Sequence, residues 1–230
     1  MRWILCRSAQ SKRHSHLGNR LVGSAWLGGV SGRPAGVSET LPDAYGALKF
    51  LAEQQHIDAT RIGIMGFSWG DVVTMLTATQ PYTSRYMDGK LKFAGHVAHY
   101  PVCWAYNRVP GYEFRSFTGS PVLIQAGELD AYDDPDICPP LVQSLTSTDQ
   151  TSISPKRYRN ATHAWDRLQP AITVTVTVTV TDPFSQKDRG GQVEMVPNPV
   201  YAFIARAKAV RFFQKTFGLA ERYNDEAKAD

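Results

Sequence analysis

Residues 61–70, Arg-Ile-Gly-Ile-Met-Gly-Phe-Ser-Trp-Gly, constrain this chain more than any other ten. A short apolar run bounded by glycine reads as a strand buried on both faces, as in a parallel sheet. The run ends in Gly66-Phe67-Ser68-Trp69-Gly70, and an apolar periodic stretch from about Trp69 to Thr79 predicts a helix directly behind it. Strand, sharp turn and helix form the setting in which a serine hydroxyl is lifted clear of a sheet edge. Gly66 and Gly70 leave room for the close backbone approach that such a turn demands. The helix start also offers N–H groups and a positive dipole end, so the Trp69 N–H is a candidate donor to a developing oxyanion. Gly-x-Ser-x-Gly by itself is common by chance and also occurs as a plain structural turn. The flanking pattern gives it weight.

A serine alcohol is inert at neutral pH without a base and a group that orients the base. Where a strand–turn–helix serine is the nucleophile, an acid and then a histidine follow it in the chain. Val122-Leu-Ile-Gln-Ala126 reads as a strand, and Asp130 follows it through Gly127-Glu128-Leu129. Residues 153–159 read as a last strand, and His163 follows in Asn160-Ala-Thr-His163-Ala-Trp-Asp166. Both fall at strand ends and in the right order. The rivals are weaker. Glu128, Asp133, Asp134 and Asp136 make an acidic run of the kind usually found in a solvated loop. His96 and His99 lie inside the predicted strand 93–102 and read as core or edge residues; His56 precedes a turn, and His14 and His16 belong to the leader. Asp166 is only three residues from His163, and so short a helix-free loop rarely folds back to orient the ring. Trp69, Tyr100, Trp104 and Tyr106 are candidates for an apolar pocket, although aromatic residues near strand ends more often pack.

Three divisions are expected: residues 1–38 as an irregular basic segment, 39–220 as one α/β domain, and 221–230 as a polar tail. The leader holds Arg2, Arg7, Lys12, Arg13, Arg20 and Arg33 and no acid, so the chain's net charge of +4 arises there. It reads as a basic tail, with a transit peptide as the alternative; no further motif points to nucleic acid. A helix is predicted over about Pro42–Gln54, and a final one is capped by Asn198, begun by Pro199 and ended by Gly218. Val200, Phe203, Ile204, Ala207, Val210 and Phe213 are expected to line one face of that final helix. A pure Thr-Val alternation at residues 173–181, within an insertion near 171–183, has β periodicity and predicts a hairpin, an edge strand or disorder. Three cysteines suit a reducing, cytoplasmic setting; Cys103 and Cys138 follow strands on one sheet edge, but buried free thiols are the favoured reading. No run is long and apolar enough for a membrane helix, and no Cys or His spacing suggests a metal.

The combination resembles the dienelactone hydrolase family. The resemblance is carried by Asp43-Ala-Tyr-Gly-Ala-Leu-Lys-Phe-Leu, by residues 61–70, and by His96-Val-Ala-His-Tyr-Pro-Val-Cys103. It continues through Pro121-Val-Leu-Ile-Gln-Ala-Gly-Glu-Leu-Asp130 and Ala161-Thr-His163-Ala-Trp-Asp166, spanning roughly residues 40–166. It implies an α/β-hydrolase fold and a cofactor-free hydrolase of small ester or lactone molecules. By position it makes Ser68 the nucleophile, His163 the base and Asp130 the orienting acid. The best-known members use cysteine, so serine points to an esterase-like branch, and Asp71 stands where a small residue commonly follows the turn. About 40 residues precede the first matching helix, so N-terminal strands are expected to be missing. With them would go the His-Gly-type loop that bears the second oxyanion donor, of which Gly28-Gly29 and Gly32–Gly36 are a faint echo. The alternative expectation is a catalytically impaired remnant of the fold that serves as a binding protein.

Overall fold

The computed structural model describes residues 2–8, 14–19, 40–89, 91–133, 136–176 and 191–219. Its main sheet has six strands: β1 (Arg2–Ser8), β2 (His14–Asn19), β3 (Ile57–Phe67), β4 (Gly95–His99), β5 (Val122–Gly127) and β6 (Ile153–Tyr158). Their order across the sheet is β2-β1-β3-β4-β5-β6. Strands β3 to β6 run parallel, whereas β1 is antiparallel to both its neighbours. Parallel neighbours need crossovers, and helices α1 (Leu41–Ala52), α2 (Trp69–Leu76), α3 (Gln80–Tyr86), α4 (Cys138–Gln143) and α5 (Ser147–Gln150) lie along the chain before and between them. A longer helix, α6 (Pro199–Thr216), follows a two-stranded antiparallel sheet of β7 (Ile172–Val176) and β8 (Gly191–Met195).

The leader departs from expectation. Residues 2–8 and 14–19 are strands, and they extend the sheet beyond β3 where an irregular segment was expected. Trp3-Ile4-Leu5-Cys6 is a β-favouring run, but four apolar residues between arginines are too few to reveal a strand without its partner. Pairing Trp3 to Met65 and Ile4 to Ile64 supplies that partner from β3. The rest of residues 1–38, like Asp134 and the tail 221–230, lies outside the described residues.

The larger core sits between the sheet and α1 and α2. Leu41, Tyr45 and Leu48 of α1 meet Ile62 and Ile64 of β3 and Val73 and Leu76 of α2, all fully buried. Pro42 in the first turn of α1, Asp43 at its positive end and Lys49 in its last turn favour that helix locally. On the opposite sheet face α6 behaves differently from the sequence pattern. Asn198 caps it by accepting a 3.0 Å bond from the Tyr201 N–H, as expected. Its buried residues, however, are Ala205, Ala209 and Phe213, while Val200, Phe203 and Val210 stay 65%, 63% and 51% exposed. The cause is close approach: a Cβ on Gly63 would lie 2.4 Å from the Phe213 ring, and one on Gly95 would lie 3.0 Å from Thr216. A helix packed that near the sheet turns Ala205 and Ala209 inward and lays the Phe213 ring over Gly63, while Val200, Phe203 and Val210 lean to the rim.

The Thr-Val repeat is strand at its start. Ile172–Val176 pairs antiparallel with Gly191–Met195, and the repeat beyond Val176 lies outside the described residues. Cys103 and Cys138 are joined as a disulfide, which corrects the expectation of free thiols. The reason is topological, since Cys103 follows β4 and Cys138 opens α4 after β5, and β4 and β5 are adjacent. Among the described residues no helix is long and apolar enough to cross a membrane.

Candidate active site

Ser68 stands between β3 and α2 with φ 50° and ψ −120°, a conformation L-residues rarely adopt. The strain is held by three contacts. The Ser68 N–H donates to the His99 carbonyl at 3.1 Å, and the Ser68 carbonyl accepts from the Asp71 N–H at 2.8 Å. A Cβ on Gly66 would fall 2.0 Å from the Gly70 carbonyl oxygen, so only glycine at 66 lets α2 leave the strand at this angle. Trp69 is the first residue of α2. Its N–H lies at the positive end of the helix, as an oxyanion donor requires.

Asp130 and His163 occupy the loops that leave β5 and β6. Those loops are fused through the backbone: the Leu129 N–H donates to the Ala161 carbonyl at 2.8 Å, and the Glu128 N–H to the Tyr158 carbonyl at 3.0 Å. A Cβ on Gly127 would meet the Ala161 oxygen at 2.5 Å, so this glycine permits the contact. The outcome is a chain of three side chains. His163 Nδ1 is 2.9 Å from both Asp130 carboxylate oxygens, and Nε2 is 3.0 Å from Ser68 Oγ. A carboxylate only accepts, so Nδ1 carries the proton and Nε2 is left to accept from the Ser68 hydroxyl. His163 and Asp130 are 3% and 5% exposed, which shields the array from water.

The other candidates are placed elsewhere. Asp166 accepts from the Tyr100 hydroxyl at 2.9 Å rather than contacting His163 Nδ1. Asp133 is not solvated but buried, accepting from the Trp104 N–H at 3.1 Å. Glu128 and Asp136 pair with Arg157. His96 and His99 are buried in β4, where desolvation lowers them to about 4 and about 3, so both are neutral at pH 7. Tyr106 is core, and His56 is exposed. Of the rings around His163, Tyr100, a pocket candidate from the sequence, meets it edge to face at 4.8 Å, and Tyr132, which the sequence did not single out, stacks on it with centroids 4.9 Å apart. No periodicity marks Tyr132, because it lies in a loop.

Asp71 is the anomaly. It is fully buried three residues beyond Ser68, and neither carboxylate oxygen has a hydrogen-bonding partner among the described residues. Burial holds its carboxyl well above the usual carboxylate range, and the charges of Asp130 and Asp133 push the same way. An acid raised in the folded state binds more protons folded than unfolded, so stability falls as pH rises above about 4, the unfolded value. Asp71→Asn is expected to flatten that slope and to raise stability at pH 7 by about 1–3 kcal/mol, the gain shrinking toward pH 4. Urea unfolding of both proteins at pH 4, 5.5 and 7 measures this; a difference that does not change with pH would refute it.

A mostly parallel sheet flanked by helices, with a serine on a strained strand-to-helix turn and an acid and a histidine in the loops after two later strands, defines an α/β hydrolase. Within that class the chain belongs to the dienelactone hydrolase family, whose model matches residues 30–230. Among solved structures the chain is similar to MGS-M1, an α/β hydrolase enzyme from a Medee basin deep-sea metagenome library. The two are 19% identical with a TM-score of 0.48, over 83% of this chain and 67% of that one. No curated protein matches the chain.

Proposed function

We propose that the protein hydrolyses carboxylic esters or lactones through an acyl-enzyme on Ser68. The observation that carries this reading is the unbroken hydrogen-bonded path from Asp130 through His163 to Ser68 Oγ, at 2.9 Å and 3.0 Å. In the first step Ser68 Oγ bonds to the acyl carbon while its proton passes to His163 Nε2. The carbonyl π pair moves onto oxygen, where the Trp69 N–H can receive it. Collapse breaks the C–O bond to the leaving alcohol, which takes the proton from Nε2. In a lactone that alcohol remains tethered to the acyl group, so a ring-opened hydroxy acid leaves only after water, activated by the same nitrogen, cleaves the Ser68 ester. Asp130 keeps Nδ1 protonated and balances the imidazolium formed in each half. The family supports a hydrolase, and the serine makes the oxygen ester of the intermediate the group to detect.

Incubation of the purified protein with a fluorophosphonate, followed by mass spectrometry of its peptides, tests this. Phosphonylation is expected on the peptide containing Ser68 and nowhere else. Absence of the adduct there, under conditions where the protein is folded, sinks the reading.

A further inference from the structure

The Tyr132 ring lies nearly parallel to the His163 imidazole, at 24° with centroids 4.9 Å apart. The backbone of the same residue donates to Asp130 Oδ1 at 3.0 Å. One residue thus touches both the base and the acid that orients it. On another side of the imidazole, Tyr100 stands at 66° to the ring, with its hydroxyl anchored on Asp166. The groups facing His163 are therefore Ser68 from the turn, Asp130 and Tyr132 from the loop after β5, Tyr100 from the end of β4, and Asp166 from its own loop.

Acyl transfer turns a neutral imidazole into a cation. The face of an aromatic ring attracts a cation through its quadrupole and is nearly indifferent to the neutral form. A ring stacked on His163 therefore acts mainly once the proton has moved, which is where a contribution to rate must lie. We infer that Tyr132 is a positioning residue of this site: its π face holds His163 in line and stabilises the imidazolium formed during acylation, while its N–H fixes Asp130. The inference rests on the acyl-enzyme reading. The hydroxyl of Tyr132 has no part in it; the ring does.

The test is the rate of Ser68 phosphonylation by a fluorophosphonate across pH, in the full chain with tyrosine, phenylalanine, pentafluorophenylalanine or leucine at position 132. Phenylalanine keeps the π face and should stay within about 2-fold of the parent. Pentafluorophenylalanine keeps the shape but reverses the quadrupole, and leucine removes it. Both are expected to slow labelling about 3- to 30-fold, and to move the acid limb of the profile down by about half a unit to one unit. The fluorinated ring preserves packing, so a misfolded leucine variant would leave the comparison intact. If the phenylalanine and pentafluorophenylalanine proteins share one rate and one acid limb, the inference is wrong. The same holds if phenylalanine falls as far as leucine. A parent protein that is never phosphonylated at any pH removes the acyl-enzyme reading as well, so the two failures are distinct.

Discussion

Asp130→Asn lowers the rate of Ser68 acylation by roughly 10⁴-fold in the expected outcome, with the fold intact. Both carboxylate oxygens sit 2.9 Å from His163 Nδ1, so the proton on that nitrogen is held from two directions. An asparagine can turn its amide N–H₂ toward the ring, which favours the tautomer with the proton on Nε2. A donor would then face the Ser68 hydroxyl, and the base would be lost without any atom having moved far. Asp166→Asn provides the contrast. Its carboxylate bonds to the Tyr100 hydroxyl and touches neither ring nitrogen, so a loss below about 10-fold is expected. Single-turnover rates with an activated ester or a fluorophosphonate would separate the two. A larger loss from Asp166→Asn than from Asp130→Asn would reverse the assignment of the acid.

Removing the disulfide has the largest expected effect on stability. Cys103 and Cys138 are separated by 35 residues, and closing a loop of that size restrains the unfolded chain by about 4 kcal/mol. For a domain of this length, the Cys103→Ser, Cys138→Ser double variant should unfold on the order of 10 °C lower. The loss should reach the site as well. The segment from Gly127 to Cys138 carries Asp130, and it is tied to the chain after β4 at neighbouring points: the Asp133 carboxylate on the Trp104 N–H, and the sulfur bridge beside it. Thermal unfolding with and without reductant measures the effect. A parent protein whose transition ignores reductant would show that no such bond restrains it. A disulfide that persists fits an oxidising compartment better than the cytoplasmic setting that three cysteines suggested.

The sequence showed the parts of the fold that rest on local signals. Glycine punctuation around β3, Pro42 and Asn198 at helix starts, and the apolar run of β5 each mark an element within a few residues of where it lies. The loops bearing Asp130 and His163 were legible because each follows a strand in chain order. Three features were hidden because they depend on contacts distant in sequence. Strand β1 declares itself only beside β3. The buried side of α6 is set by glycines at 63 and 95, which no helical periodicity reports. The pairing of Cys103 with Cys138 depends on which strands are neighbours. Asp71 was visible as an odd residue in the first turn, but its burial was not, because an acid there suits a helix dipole equally well when exposed.

The ladder between β7 and β8 sets Thr173 opposite Glu194 and Val174 opposite Val193. A dipeptide unit has the same period as the pleat, so sliding one strand by two residues puts threonine and valine back where threonine and valine had been. A change of whole Thr-Val units in the sequence would therefore leave the register class of the ladder between β7 and β8 unchanged.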